Sequence, residues 1–178
     1  MSSAPSESLS DGALRTERTT RSGKFESRES ELKMQTFNLF TGETEKVPTG
    51  APGDRGRAAR VGAKLGASRL GMSVYDLPPG EAIGPYHFEW TDEEWLIALA
   101  GQVSIRGPEG EQTLDPGEVV CFRAGPDGAH QVRNGSDITA RVAIVSTQNE
   151  FGIVEYPEEK KVGIWAGGGH YTLDRPTG

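Results

Sequence analysis

The chain has one cysteine, Cys121, among 178 residues, so no disulfide can form within it. No apolar run approaches the roughly 20 residues that a membrane-spanning helix needs. Hydrophobic content is 34%, low for a globular chain of this length, so part of the chain is not expected to fold. Positive charge is also short. The 19 Lys and Arg against 26 Asp and Glu leave a net charge of −7, which argues against a nucleic-acid surface and against an anionic membrane as partner. The N-terminus lacks the apolar stretch of a signal peptide. These absences point to a soluble cytoplasmic protein, and the length argues for one domain. Histidine is scarce as well, with three in all, so the places where they fall carry information.

Residues 1–33 are rich in Ser, Thr, Glu and Arg, with Leu14, Phe25 and Leu32 too scattered to form a stripe. Burial there cannot offset chain entropy, and a disordered tail is expected. Its acidic residues, among them Glu7, Asp11 and Glu17, speak against an organelle-targeting peptide. Met34 stands just before the first globular-looking segment, Phe37 to Phe40, and is a candidate start, with the tail as a translated extension. Residues 34–68 read as a lead-in. Thr41 to Gly56 is turn-rich loop, and Arg57 to Gly66 is either a helical turn, interrupted by Gly62 and Gly66, or an extra strand.

From residue 69 to 166 the punctuation becomes regular. Leu70, Met72, Val74 and Leu77 give an approximate strand, and Gln102–Arg106 with Glu111–Leu114 reads as a hairpin about Gly107-Pro108-Glu109-Gly110. Val119–Phe122 reads as a short buried strand with Cys121 as a small apolar filler. Ala129–Arg133, Ile138–Thr147, Ile153–Tyr156 and Val162–Trp165 follow. Short strands divided by Gly/Pro turns, without a long helix, predict an all-β sandwich or barrel. The Gly-rich residues 167–178 read as a loose tail with His170 exposed in it.

The segment Pro85 to Gly101 carries the chemistry. His87 and Glu89 are two apart, so on a strand they leave the same face. Glu94 opens the apolar run Trp95 to Ala100, and a short turn would bring it across from His87 and Glu89. A carboxylate leading such a strand costs several kcal/mol to bury without a partner. An imidazole and two carboxylates converging suit a divalent cation, whose charge lets them sit together in a barrel interior. Tyr86, Trp90 and Trp95 are candidates for a pocket wall or for core and interface packing, the latter being the reading for Trp95.

His87-x-Glu89, four residues, Glu94, six residues and Gly101 together resemble the first motif of the cupin superfamily, which normally reads Gly, His-x-His, Glu and a distal Gly. The second motif is visible in Gly117, the strand Val119–Phe122, Gly125, His130 and Asn134. The resemblance covers residues 70–147. More narrowly the chain is similar to short bacterial single-domain cupins labelled phosphomannose-isomerase-like, through Glu155-Tyr156-Pro157 and Lys161-Val162-Gly163. It implies a double-stranded β-helix, or jelly-roll barrel, with one metal ion held by His87, Glu94 and His130, and with Glu89 where the second histidine usually stands. Besides Glu89, the chain departs from the pattern at Arg123, which replaces a proline, and at Gly80, one residue further from His87 than is common.

A set of two histidines and two glutamates favours Mn, Fe or Ni, with Zn still open. Glu89 is either a fourth ligand, a group holding His87 or a water from behind, or a degenerate replacement in an empty site. The implied function is a metal-dependent enzyme acting on a small oxygen-rich metabolite, a sugar derivative or an organic acid. Its chemistry would be that of an isomerase, a lyase or, with iron, a dioxygenase, and an unligated Glu89 would be the candidate base. The alternative is a non-catalytic cupin that binds or senses a small molecule, with or without metal. The resemblance also implies a homodimer, with Arg57–Gly66 and Ile153–Trp165 adding strands across the interface.

Overall fold

Side chains of a strand alternate between its two faces, and this period organises the molecule. The structure, a computed structural model, describes residues 34–46 and 56–175. The tail expected to be disordered, residues 1–33, lies outside the described residues. The strands are β1 (Glu45–Lys46), β2 (Arg57–Ala59), β3 (Leu70–Leu77), β4 (Ala82–Glu89), β5 (Glu94–Ala100), β6 (Val103–Gly107), β7 (Gly110–Leu114), β8 (Val119–Phe122), β9 (His130–Arg133), β10 (Ala140–Thr147), β11 (Phe151–Tyr156), β12 (Lys161–Ala166) and β13 (Gly169–Asp174). One helical turn, α1 (Val61–Lys64), follows β2, and a 3-10 turn, Pro126–Gly128, precedes β9. Two antiparallel sheets form the jelly roll, in the orders β1-β2-β3-β10-β5-β8 and β13-β12-β11-β4-β9-β6-β7.

Register decides what faces the interior. Across the first sheet Ser73 pairs with Ile144, which pairs with Leu96, which pairs with Val120. Tyr75 pairs with Val142, and Leu77 with Ala140. Leu77, Leu96, Ala98, Phe122 and Val142 meet Val103, Ile105, Leu114 and Val132 of the second sheet to form the main core. The intervening residues face outward, and there a second, smaller core forms. Ala59, Val61, Val74 and Ala143 pack together under Phe37, Leu39 and Ile97. The lead-in therefore covers the back of the first sheet, which explains why β3 has apolar residues on both faces.

Several expectations are corrected. Residues 167–178 are not a loose tail over their whole length, because Gly169–Asp174 pairs with β12 as β13 and His170 stacks on Trp165 at 4.0 Å. The segment read as loop up to Gly56 contains the short β1, whereas Arg57–Gly66 holds both of the elements expected there, β2, which pairs with β3, and then the helical turn α1. The strand Val119–Phe122 is only half buried. Val119 is exposed, and Cys121 shares the outer face with its pair Trp95.

Asn134 is fully buried at 0% exposure, and every polar atom of its side chain is used. Nδ2 donates to the carbonyls of Leu77 and Ile138, both at 2.7 Å, and Oδ1 accepts from Ser136 N at 2.9 Å and Ser136 Oγ at 2.8 Å. It locks the turn between β9 and β10 to the end of β3. Replacing Asn134 by Ala leaves the buried Leu77 carbonyl without its donor, while the Ile138 carbonyl keeps Ser136 Oγ, so the expected loss is roughly 1–3 kcal/mol. Urea unfolding at unchanged slope measures it, and a loss below about 0.5 kcal/mol would contradict this role.

Candidate metal centre

The inward-facing rows change character along the barrel. On β3 they run from Leu77 through Tyr75 to Ser73, on β10 from Val142 through Ile144 to Ser146, on β5 from Ala98 through Leu96 to Glu94, and on β9 from Val132 to His130. One end of the interior is thus an apolar plug, and the other collects the polar groups.

His87 reaches that end through an irregularity. From Ile83 to His87 takes four steps on β4, while their partners Val132 and His130 are two steps apart on β9. Gly84 absorbs the extra length at a φ of +65° that other residues disfavour, and Pro85, which has no N–H to give to a ladder, sits inside the bulge. The bulge turns the Pro85 carbonyl toward the ring, where it accepts the Nδ1–H of His87 at 2.9 Å. His130 is held the same way, its Nδ1–H donating to the Gly128 carbonyl at 2.9 Å. Only glycine fits at 128, since a Cβ there would lie 1.8 Å from the Arg123 carbonyl oxygen. A carbonyl can only accept, so both rings carry their proton on Nδ1 and present a bare Nε2. Phe122 stacks on His130 with centroids 3.6 Å apart, fixing the ring plane.

The structure brings together His87, Glu94 and His130, one ligand atom from each lying within 4.8 Å of the others, the single such cluster among the described residues. Ligands with metal bonds of about 2.0–2.2 Å stand at most about 4.4 Å apart, so small side-chain adjustments close this set on one ion. His130 Nε2 and Glu94 Oε2 are 3.6 Å apart. That is too long for a hydrogen bond, and with a neutral imidazole it is not an ion pair. Burial lowers the pKa of His87 against the effect of the Pro85 carbonyl, and burial with the nearby His87 lowers that of His130 to about 3. Both lone pairs are therefore free at neutral pH. Burial, then Asp92, raises Glu94 to about 7. These are the marks of a donor set whose negative charge has no protein cation beside it.

Glu89 is not part of the cluster. It shares the inner face of β4 with His87, but its oxygens do not come within 4.8 Å of all three ligand atoms. Burial, then the charges of Glu94 and Asp92, raises its pKa to about 8. Tyr156 on β11 stands close by, its ring 5.9 Å from that of His87 and its hydroxyl pushed up by burial, Glu89 and Glu159. The candidate aromatic wall is elsewhere. Trp90 and Trp95 are 48% and 46% exposed, and Trp95 Nε1 donates to Glu93 on the outer surface. His170 lies on β13, stacked on Trp165, and is not one of the three clustered residues.

A cavity of about 180 Å³ opens from the cluster between Ile83 and Ile144, and Arg60, Ser73, Tyr75 and Ser146 supply the rest of its polar lining. None of these four was singled out by the sequence. The available signal was the alternation of Ser73 and Tyr75 with Met72 and Val74.

Residues 73–146 match the family model described as Cupin domain. No curated protein matches the sequence. Solved structures do. A sugar phosphate isomerase of the cupin superfamily from Silicibacter pomeroyi DSS-3 superposes with a TM-score of 0.71 at 22% identity, over 80% of this chain and 97% of that one. A protein proposed to be a sugar phosphate isomerase, from Acidithiobacillus ferrooxidans ATCC 23270, gives 0.65 at 22% identity over 69% and 78%. The polyketide cyclase RemF from Streptomyces resistomycificus gives 0.54 at 21% identity over 65% and 80%. At these identities the likeness is one of fold. Residues 73–146 thus carry the match to the Cupin domain model, and the two paired sheets have the fold of these solved structures.

Proposed function

We propose that His87, Glu94 and His130 hold one divalent metal ion and that the domain is a metal-dependent enzyme acting on a small oxygen-rich metabolite. The observation that carries this reading is the meeting of three donor atoms within 4.8 Å at the inner end of a cavity of about 180 Å³. Imidazole and carboxylate donors without a thiolate suit Mn, Fe, Ni or Zn. When bound, such an ion would polarise substrate oxygens and offset negative charge developing on them. The chain's own groups do the remainder. The Pro85 and Gly128 carbonyls orient the imidazoles, and Ile83 and Ile144 narrow the cavity against water. Glu89, next to the cluster and protonated at neutral pH in the absence of a cation, is the group placed to carry a proton, with Tyr156 beside it.

Metal content separates ligand from neighbour. Protein purified without an affinity tag is expected to hold about one equivalent of Mn, Fe, Ni or Zn by elemental analysis. His87→Ala and Glu94→Gln should each weaken retention by at least about tenfold, while Glu89→Gln keeps the equivalent and loses turnover. Wild-type protein that binds none of the four ions would end the proposal.

The acid pair also sets a pH dependence for the metal-free protein. Glu94 and Glu89 have folded pKa values of about 7 and about 8 against 4.5 for the free side chain. Between those limits the folded state keeps protons that the unfolded state has lost, so stability falls as pH rises through that window. The histidines act in the opposite sense, but only below 6.5. Urea unfolding of metal-free protein is expected to show decreasing stability from pH 6 to 9, a shallower decrease in Glu89→Gln, and reversal on adding Mn. A flat wild-type profile would show that the two carboxyls are solvated.

A further inference from the structure

The lining of the cavity opposite the donor cluster has a built character that the proposed metal site leaves unused. Arg60 follows β2, in which Ala58 pairs with Tyr75 and Ala59 with Val74, so the next inward position falls at Ser73. The guanidinium obeys that register. Its Nη1 donates to Ser73 Oγ at 3.2 Å and to Tyr75 OH at 2.9 Å, and its Cζ lies 5.8 Å from the Tyr75 ring centre. These contacts aim the side chain and occupy one nitrogen. No described residue accepts from Nε or Nη2, and no described carboxylate lies within 4.0 Å of the group. Among the described arginines, Arg106, Arg123, Arg141 and Arg175 have a carboxylate partner, whereas Arg60, like Arg57, Arg69 and Arg133, has none.

Space is kept clear between this arginine and the cluster. Ser146 pairs with Glu94 on one side and with Gly71 on the other. A Cβ at position 71 would come within 2.7 Å of Ser146 Oγ, so glycine there leaves the passage open. The resulting cavity has a cationic fork and three hydroxyls along one side and imidazoles with a carboxylate at the other.

We propose that Arg60, with the hydroxyls of Ser73 and Tyr75, binds a carboxylate of the substrate, which makes the substrate a small hydroxy or keto acid whose carboxylate is remote from the oxygens facing His87, Glu94 and His130. This rests on the function proposed above. A planar carboxylate matches the two unused guanidinium nitrogens, Nε and Nη2, bidentately along one edge.

Calorimetric titration of Mn-loaded protein with L-malate, L-lactate and inorganic phosphate tests this. L-malate offers a hydroxy-acid head and a distal carboxylate, whereas L-lactate has the same head alone. Arg60→Gln is expected to weaken L-malate by at least about tenfold and leave L-lactate unchanged, since charge-assisted hydrogen bonds are each worth more than about 1.4 kcal/mol. Arg60→Lys should recover part of the loss, and Tyr75→Phe should cost a few-fold without changing charge. Equal binding of L-malate by wild type and Arg60→Gln would overturn the proposal, as would equal losses for both acids. So would a result in which only phosphate binding depends on Arg60, which would assign the site to a phosphoryl group. Manganese titration of Arg60→Gln itself keeps the two readings apart. Unchanged metal binding with unchanged L-malate binding sinks the carboxylate site alone, whereas failure of the wild type to take up manganese sinks the metal site.

Discussion

The structure depends on a pair of backbone carbonyls. Two buried imidazoles facing one another could orient in many ways, and in most of them a ring nitrogen would point at nothing. The carbonyls of Pro85 and Gly128 remove that freedom by accepting both Nδ1 protons. One carbonyl is presented by a bulge and the other by a turn that tolerates only glycine, so local backbone geometry on two distant segments fixes which nitrogen is left bare. The β4–β9 register then sets His87 opposite His130, and the β5 ladder delivers Glu94 to the same place.

This arrangement is at odds with folding on its own terms. The partly buried carboxyls at positions 89 and 94 resist ionisation, and the histidines, of which His130 is fully enclosed, resist protonation, so the site without a cation stores unfavourable electrostatics in both directions of pH. The rest of the barrel supplies the stability that tolerates it. The apolar plug at one end fills the space between the sheets, and the lead-in residues give the first sheet a second packed face. A structural role alone would not call for two bare nitrogens and a carboxylate at the head of a cavity. Such local inconsistency is characteristic of functional sites.

Much of this was legible in the chain, for reasons that can be named. Strands such as Leu70–Leu77 and Val119–Phe122 were bounded by Pro and Gly turns, so their extents followed from punctuation. His87, Glu94 and His130 were marked by scarcity and spacing. Glu89 was harder, because same-face alternation from His87 does not decide its distance from Glu94 and His130. The cavity wall was missed for a different reason. In β3 the apolar residues Met72 and Val74 look like the row facing the barrel, but they face the second core, and the polar Ser73 and Tyr75 are the ones inside. Alternation reveals two faces without saying which is inner when both are covered. The strand Gly169–Asp174 was hidden by composition: Gly167-Gly168 reads as slack but forms a two-residue turn that folds β13 back on β12.

Fold likeness at about one-fifth identity cannot select among the reactions this barrel hosts, so the donor set bears the functional argument. Anomalous diffraction at the manganese edge, from crystals grown with that ion, tests it most directly. The account predicts a single strong peak bonded to Nε2 of His87, Nε2 of His130 and a carboxylate oxygen of Glu94. A peak elsewhere on the protein, or none in this cluster, would contradict it.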